Sequence, residues 1–220
     1  MAQTKYFHSV QLQLEKCQGC VSCVKECPTE AIRVRNGKAE ILGDRCIDCG
    51  ACAAKCPYHA FNVQMAELDG LANYAYNIVL PAPSLYAQFP EQISMESIWQ
   101  GLHSLGFDEI FDLSLASDYI AGEIEDYVKN YTGGRKPLIS STCPAVLRLI
   151  QVKFPELIKQ VVPVLPPVEA AAIYVKRTAA ERLHMDAELI GVWFVSPCPS
   201  KETNIRQSVD VLLSLIHISE

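Results

Sequence analysis

The strongest constraint on the fold of this chain is a repeated cysteine motif. Eight of its ten cysteines follow the pattern C-x-x-C-x-x-C-x-x-x-C-P, which occurs at 17–28 and again, after a shift of 29 residues, at 46–57. Three thiols at intervals of three residues can bind one face of a compact metal cluster. The proline after the fourth cysteine ends the local turn because it has no N–H to donate. The sequence therefore predicts a two-fold metal-binding module.

Runs of this kind bind 4Fe–4S clusters, and the fourth cysteine of each half binds the cluster of the other half. The predicted ligands are Cys17, Cys20, Cys23 and Cys56 for the first cluster, and Cys27, Cys46, Cys49 and Cys52 for the second. Gly19 and Gly50 are expected to allow a close approach of the backbone. Structural zinc is the alternative, but zinc sites use paired C-x-x-C units with a long spacer between them. His59 is expected to be a solvent-facing loop residue.

The residues around the cysteines predict a compact α+β module over residues 1–64. Asn36-Gly37 is a hairpin-turn signal between two alternating segments. Residues 5–64 resemble bacterial dicluster ferredoxins. The predicted elements are strands at 6–14, 31–35, 38–42 and 60–63, and short helical turns at 21–26 and 51–55.

Composition excludes several classes of function. The net charge is −6 and the basic residues are scattered, which argues against a nucleic-acid partner. No apolar run reaches the ~18 residues of a transmembrane helix. Residues 1–5 lack the apolar core of a secretory signal, so we expect a cytoplasmic protein. In that compartment, ten cysteines indicate metal or redox chemistry rather than disulfides.

The pattern changes after a predicted linker at 65–76. Short apolar strands alternate with helices over 77–212, which predicts an α/β domain with a parallel sheet. The predicted strands are 77–80, 109–113, 138–140 and 188–195, and the predicted helices are 94–105, 119–129, 144–152 and 168–183.

Three polar or proline-rich segments, 81–83, 141–144 and 196–201, follow predicted strands, where ligands bind in such sheets. The two remaining cysteines, Cys143 and Cys198, lie in these segments. Cys143 also precedes a helix, where a thiol is acidified and suits a metal ligand or a nucleophile. From the residues alone, two buried structural cysteines are an equally good interpretation. A cysteine protease is disfavoured because His184 has no supporting signature.

From about 77 to 206 the chain resembles the catalytic domain of iron-only (FeFe) hydrogenases. The matching stretches are Leu80-Pro81-Ala82, Gly106-Phe107-Asp108 with Ser117-Asp118, Ser141 to Ala145, and Pro197 to Lys201. This resemblance implies an active-site H-cluster, a 4Fe–4S cubane joined to a two-iron subsite. It also implies that Cys143 and Cys198 bind the cubane, that Pro81 lines the pocket, and that Lys201 hydrogen-bonds a cyanide of the subsite. The N-terminal module would then relay electrons to or from this cluster.

Three departures from the family pattern bear on activity. Thr142 replaces a cysteine that passes protons to the cluster, and Ser196 replaces a methionine. Ile124 and Tyr127 stand where the family's proton path uses carboxylates, which Glu123 or Glu125 could replace. The pattern is similar to the hydrogen-sensing branch, so we expect slow turnover. The alternatives are a productive ferredoxin-dependent hydrogenase and a plain electron-transfer ferredoxin.

We expect the chain to be part of a longer protein, because the family brings two further cluster cysteines in a later loop. The H-cluster is therefore expected in the full-length protein only, and the chain as printed is expected to be inactive as a hydrogenase. The end, 213–220, matches one reading frame of a common sequencing adapter and is expected to be non-native, with an ordinary terminal strand as the alternative. The expected partners are a redox protein such as ferredoxin, hydrogen and protons, and a downstream signalling domain.

Overall fold

The computed structural model describes residues 6–207 and the backbone of 214–216, and it divides into two compact units. Within the described residues, unit 1 consists of 6–64, 143–161 and 198–207. Unit 2 consists of 65–142, 162–197 and 214–216. Unit 1 therefore contains the cysteine repeat together with the segments that carry Cys143 and Cys198.

The cysteine repeat of unit 1 folds into two small antiparallel strand pairs and two short helices. Strand β1 pairs with β4, and β2 pairs with β3. Asn36 and Gly37 both have positive φ, 51° and 73°, as the predicted hairpin turn requires. The elements are β1 (Val10–Leu12), α1 (Ser22–Glu26), β2 (Ile32–Arg35), β3 (Lys38–Ile41), α2 (Ala51–Lys55) and β4 (Phe61–Val63). The predicted strand at 6–14 is thus reduced to three residues.

The two halves of the repeat exchange strands. Val34 in β2 faces Ala39 in β3, and Val63 in β4 faces Val10 in β1. These pairs are related by the same shift of 29 residues as the cysteines, so Val10 and Ala39 are equivalent positions. Each half therefore completes its sheet with a strand from the other half.

Positive φ angles also follow the repeat. They occur at Gly19 and its equivalent Asp48, at Val21 and its equivalent Gly50, and at Glu30 and its equivalent His59. Gly19 and Gly50 are therefore not equivalent to each other. At Gly19 a side chain would collide with the carbonyl oxygen of Gly37, which confirms the predicted close approach there.

Two helices from later in the chain complete unit 1. They are α6 (Pro144–Lys153) and α8 (Pro199–Gln207), and they contact each other. A short 3₁₀-helix, Pro155–Gln160, packs against α6. Helix α8 is fastened to the start of β1: the fully buried Ser9 donates its N–H to Thr203 Oγ1 (3.1 Å) and its hydroxyl to the Pro199 carbonyl (2.8 Å).

Unit 2 is built on a four-stranded parallel sheet in the order β6-β5-β7-β8, which confirms the predicted α/β domain. The strands are β5 (Tyr76–Pro81), β6 (Glu109–Ile110), β7 (Ile190–Val195) and β8 (Ser214–Ile216). Every residue of β7 is buried, as expected for a central strand covered on both faces.

The helices of unit 2 cover this sheet. They are α3 (Pro83–Tyr86), α4 (Met95–Ser104), α5 (Leu113–Lys129) and α7 (Pro167–Leu183), with 3₁₀-helices at Leu68–Asn73 and Ala187–Leu189. Helix α7 packs against α5, β5 and β7. In the described part of the chain, no helix combines the length and apolar character that crossing a membrane requires.

Three predicted elements of unit 2 differ from the structure. Residues 138–140 form no strand: Ile139 makes a single bridge by accepting the N–H of Val162 (2.8 Å), and Pro137 offers no N–H to extend it. The helix predicted at 119–129 begins at Leu113, because the Asp112 side chain accepts the Ser114 N–H (2.9 Å) and caps it. This earlier start shortens the strand predicted at 109–113 to two residues.

The segments predicted as linker and tail are only partly irregular. Within 65–76, Leu68–Asn73 forms a 3₁₀-helix, Leu71 packs against the buried cluster around Trp193, and β5 begins at Tyr76. Of the tail at 213–220, residues 214–216 form β8, and the remainder lies outside the described residues.

Candidate metal centre

The eight cysteines of the repeat line two separate cavities. One cavity is lined by Cys17, Cys20, Cys23 and Cys56, and the other by Cys27, Cys46, Cys49 and Cys52. These are the two sets that the sequence predicted, with one cysteine of each set contributed by the other half. All eight are free thiols.

Local backbone geometry places the exchanged cysteines. Cys27 and Cys56 are the C-terminal caps of α1 and α2, and both have an extended conformation with ψ of 111°. Helices of five residues followed at once by an extended cysteine turn the fourth thiol away from its own motif. The proline after each of these cysteines keeps the helix from continuing.

Backbone amides donate hydrogen bonds to three of the sulfurs. Ala31 N–H donates to Cys27 Sγ (3.2 Å) and Ala60 N–H to Cys56 Sγ (3.3 Å), and these two bonds are equivalent under the repeat. Ala39 N–H donates to Cys17 Sγ (3.3 Å). Such donors stabilise negative charge on sulfur and are a principal influence on iron–sulfur potentials.

The cavities are poor environments for isolated thiolates. Burial, assisted by the Asp48 carboxylate, raises the pKa of Cys46 to about 12. Burial and the neighbouring Cys46 and Cys49 thiolates raise the pKa of Cys52 to about 12 as well. Burial also raises the pKa of Cys23. A bound metal reverses this situation because its charge deprotonates a coordinating thiol outright.

The donor set fits an iron–sulfur cluster in each cavity. Four sulfurs converge on each, and the remaining lining of the Cys46 cavity is largely apolar, with Val10, Ile32, Ile41 and Ile47. Soft thiolate ligands select zinc, copper(I) or iron–sulfur clusters over hard cations. His59 is exposed, in agreement with its predicted position in a surface loop.

One charged side chain reaches the Cys46 cavity. Asp48 is buried, and its Oδ1 accepts the Val10 N–H (3.2 Å) while its Oδ2 lies 2.8 Å from His8 Nδ1. A His8 nitrogen, an Asp48 carboxylate oxygen and the Cys46 sulfur all lie within 4.8 Å of one another. Sequence analysis missed this pair, although an aspartate between two ligand cysteines was visible.

The two remaining cysteines lie at helix starts in unit 1. Cys143 is exposed and occupies the N-cap position of α6, as predicted, but its side chain makes no capping hydrogen bond. Cys198 directly precedes α8, its Sγ lies 3.1 Å from Ser200 Oγ, and its carbonyl accepts the Lys201 N–H (3.2 Å).

The other predicted site residues lie in unit 2. Pro81 is the last residue of β5 and is fully buried. Thr142 Oγ1 is hydrogen-bonded to Ser140 Oγ (2.9 Å). Ser196 is buried at the end of β7, while Ile124 and Tyr127 are half-buried on α5.

Helices α6 and α8 both contact loops that carry the second cysteine set. Lys153 donates to the Pro28 carbonyl (2.9 Å), and Arg148 donates to the Asp44 carbonyl (3.4 Å). A side chain on Gly50 would lie 3.1 Å from the Pro199 ring. These contacts join residues 104 to 125 positions apart in the case of the two cations, so local pattern could not reveal them.

Comparison with known proteins agrees with this division. The family model described as the iron only hydrogenase large subunit, C-terminal domain, matches residues 75–216, well over half of the chain. The chain belongs to the iron-only hydrogenase family. A 4Fe–4S dicluster domain matches residues 9–57, so this hydrogenase-family chain carries an iron–sulfur domain ahead of its hydrogenase-like domain.

Individual relatives are similar over part of their length. The hydrogenase-family chain is 28% identical over 136 residues to iron hydrogenase 1 from Clostridium pasteurianum, which covers 57% of this chain and 23% of that protein. Two structures of FeFe-hydrogenase HydA1 variants from Chlamydomonas reinhardtii share its fold, with TM-scores of 0.57 and 0.58 at 22% identity. These matches cover 68% of this chain and 43–44% of those chains, so it spans less than half of the relatives it matches.

Proposed function

We propose that this chain is the electron-relay portion of a hydrogen-sensing, low-turnover FeFe hydrogenase. The observation that carries the proposal is the pair of four-cysteine cavities in a chain of the hydrogenase family. Each cavity would hold one 4Fe–4S cluster, with the fourth ligand supplied by the other half of the repeat. We place the protein in the cytoplasm, where free thiols persist.

Cys143 and Cys198 are proposed as two of the four cubane ligands of an H-cluster, and Lys201 as a donor to its two-iron subsite. The family resemblance adds Pro81 and Thr142 to the pocket. When bound, the H-cluster supplies reversible splitting of hydrogen into protons and electrons. The residues of this chain would bind that cluster and orient it.

The path of electrons is suggested by the contacts within unit 1. The Gly50 loop of the second cysteine set contacts Pro199, which adjoins Cys198. The second cluster is therefore the one proposed to exchange electrons with the H-cluster. The first set includes the exposed Cys20, which is a suitable point of exchange with an external redox protein such as ferredoxin.

Iron counting and low-temperature EPR of the anaerobically reconstituted chain test the relay. We expect about eight irons per chain and two interacting 4Fe–4S signals, since each cavity offers the four cysteines of one cluster. Four irons after Cys17→Ser alone and also after Cys46→Ser alone would show that the cavities load separately. A zinc-loaded, iron-free repeat would overturn the proposal.

The low-turnover assignment depends on Thr142. Proton transfer needs a group of matched pKa within hydrogen-bond reach of the reacting atom. The Thr142 hydroxyl is far less acidic than a thiol, and its partner Ser140 is another neutral hydroxyl. A sensor tolerates slow proton transfer because it reports hydrogen binding or redox state to a signalling domain, which we propose as a partner.

Hydrogen uptake by the full-length protein with its H-cluster tests this assignment. We expect slow uptake from the natural sequence and at least tenfold faster uptake after Thr142→Cys. Thr178→Cys, at an exposed position of α7, controls for the added thiol. Fast uptake by the natural sequence would instead support a productive, ferredoxin-dependent hydrogenase, and uptake that Thr142→Cys leaves unchanged would contradict the role of Thr142.

A further inference from the structure

The two-fold symmetry of the cysteine repeat is broken at one pair of positions. In the first half, Gly19 meets Gly37, and neither has a side chain. The equivalent positions in the second half, 29 residues later and earlier, are Asp48 and His8, which form a buried hydrogen-bonded pair (2.8 Å). The surrounding backbone is the same, because Gly19 and Asp48 share a positive φ, 66° and 50°.

This difference redirects one backbone amide. Ala39 and Val10 are equivalent strand residues, and each points its N–H toward the first cysteine of the opposite half. The Ala39 N–H reaches Cys17 Sγ (3.3 Å). The Val10 N–H instead donates to Asp48 Oδ1 (3.2 Å), which occupies the space that Gly19 leaves open in the other half.

The environments of Cys17 and Cys46 therefore differ in two ways that act in the same direction. Cys17 has an amide donor, which stabilises the additional negative charge of a reduced cluster. Cys46 has a buried carboxylate within 4.8 Å, which opposes that charge. Hydrogen bonds to sulfur and local net charge are both recognised determinants of the potential. The amide bonds from Ala31 and Ala60 are equivalent, so they do not offset the difference.

We propose that Asp48 separates the potentials of the two clusters and makes the cluster bound by Cys17, Cys20, Cys23 and Cys56 the more easily reduced. This inference rests on the proposed binding of a cluster in each cavity. Asp48 is a positioning residue that acts through Cys46 and the Val10 amide. A single electron on the relay resides mainly on the first cluster, away from the Cys198 side.

The test is a redox titration of the reconstituted chain with dithionite, followed by EPR. Each cluster accepts one electron from the titrant. We expect two waves whose midpoints differ by at least 59 mV, which corresponds to a tenfold preference of one electron for the first cluster. Full iron content is measured on the same sample.

Asp48→Asn removes the charge while keeping an acceptor for Val10, and asparagine tolerates the positive φ. We expect it to raise the lower midpoint and leave the higher one unchanged. Asp48→Gly restores the arrangement of the first half and is expected to raise the lower midpoint further. Asp44→Asn removes an exposed carboxylate two residues before Cys46 and is the matched control, with no more than a small shift.

Amide-to-ester replacement assigns the waves to the clusters. Lactic acid in place of alanine keeps the methyl group and substitutes an ester oxygen for the N–H. At Ala39 or Ala60 the replacement is expected to lower only the higher midpoint, and at Ala31 only the lower one. Replacement at Ala54, whose N–H donates to the Gly50 carbonyl (3.1 Å), is the control for losing a backbone hydrogen bond.

The outcomes separate this inference from the proposed function. Coincident waves in a chain with eight irons would overturn the potential gradient and leave the relay in place. A lower wave that responds to the Ala39 ester, or that ignores Asp48→Asn, would overturn the role of Asp48. A chain that fails to bind eight irons would remove both.

Discussion

At the scale of single residues, buried polar groups define how each unit is held together. Lys176 on α7 is only 8% exposed, although lysine is rarely buried. Burial lowers the pKa of its ammonium group, and Glu188 partly opposes this effect. In unit 1, Ser9 and Thr203 form a buried set of hydrogen bonds between the N-terminal segment and α8.

Lys176→Met is expected to stabilise the protein at pH 7. The pKa of Lys176 is lower in the folded state, so its contribution to stability is fully present above its unfolded pKa, near 10.5, and is lost as the pH falls through the folded value. The gain from Lys176→Met should therefore be largest near neutral pH and disappear toward pH 10.5. Urea unfolding at pH 7 and at alkaline pH measures this, with Lys159→Met at an exposed position as control. An equal gain at both pH values would contradict it.

Thr203→Val is expected to destabilise unit 1 by about 1–3 kcal/mol, because the buried Ser9 N–H loses its acceptor. Valine matches the shape of threonine, so packing changes little. Denaturant unfolding of the reconstituted chain measures the loss. Thr178→Val makes the same change where the threonine is exposed and bonds only its own helix, and it should have little effect.

At the scale of secondary-structure elements, local signals placed most boundaries. Ser94 caps α4 through the Ser97 N–H, and Pro144 begins α6 at its first turn, as the sequence predicted. The early start of α5 was missed because Leu113–Asp118 lacks a regular apolar spacing and only Asp112 marks the cap. The strand at 138–140 was wrong because three apolar residues predict a strand only if a partner strand exists.

Two glycines in regular elements should respond oppositely to alanine. A Cβ on Gly191 in β7 would lie 2.7–2.8 Å from Trp193 Nε1, Asn77 Oδ1 and Tyr74, where it would disturb the Trp193–Asn77 hydrogen bond. We expect Gly191→Ala to cost about 1–3 kcal/mol. Gly101 in α4 is exposed and meets no described atom within 4 Å, so Gly101→Ala should gain about 0.5–1 kcal/mol. Thermal unfolding compares them, and a loss at Gly101 would be inconsistent with this account.

At the scale of the whole molecule, the sequence predicted both domains but not the composition of unit 1. The spacing of eight cysteines was sufficient to predict their two sets, because each cavity is formed by a local repeat. The assignment of α6 and α8 to the same unit depends on contacts such as Ser9 with Thr203, which are 194 residues apart. Asp48 escaped notice because its effect depends on which amide its carboxylate reaches.

Removing iron should affect the two units differently. The buried core of the cysteine repeat includes Cys17 and Cys23 themselves, together with Ile32, Ala39 and Ala60. Metal binding at such a site contributes folding free energy directly. After iron removal by a chelator, we expect amide hydrogen exchange to increase throughout 6–64 and in α6 and α8, while β5 and β7 retain protection. Equal loss of protection in β7 would show that unit 2 depends on the clusters as well.

The three-segment construction of unit 1 limits how this protein can be recombined. A cassette of residues 1–64 would carry every cysteine of the repeat, but it would expose Ser9 and would lack the cations that bind the Pro28 and Asp44 carbonyls. Transplanting the relay into another enzyme therefore requires grafting α6 and α8 with it. In a lineage that exchanges electron-transfer modules by gene fusion, this architecture favours inheritance of the relay and its two docking helices together.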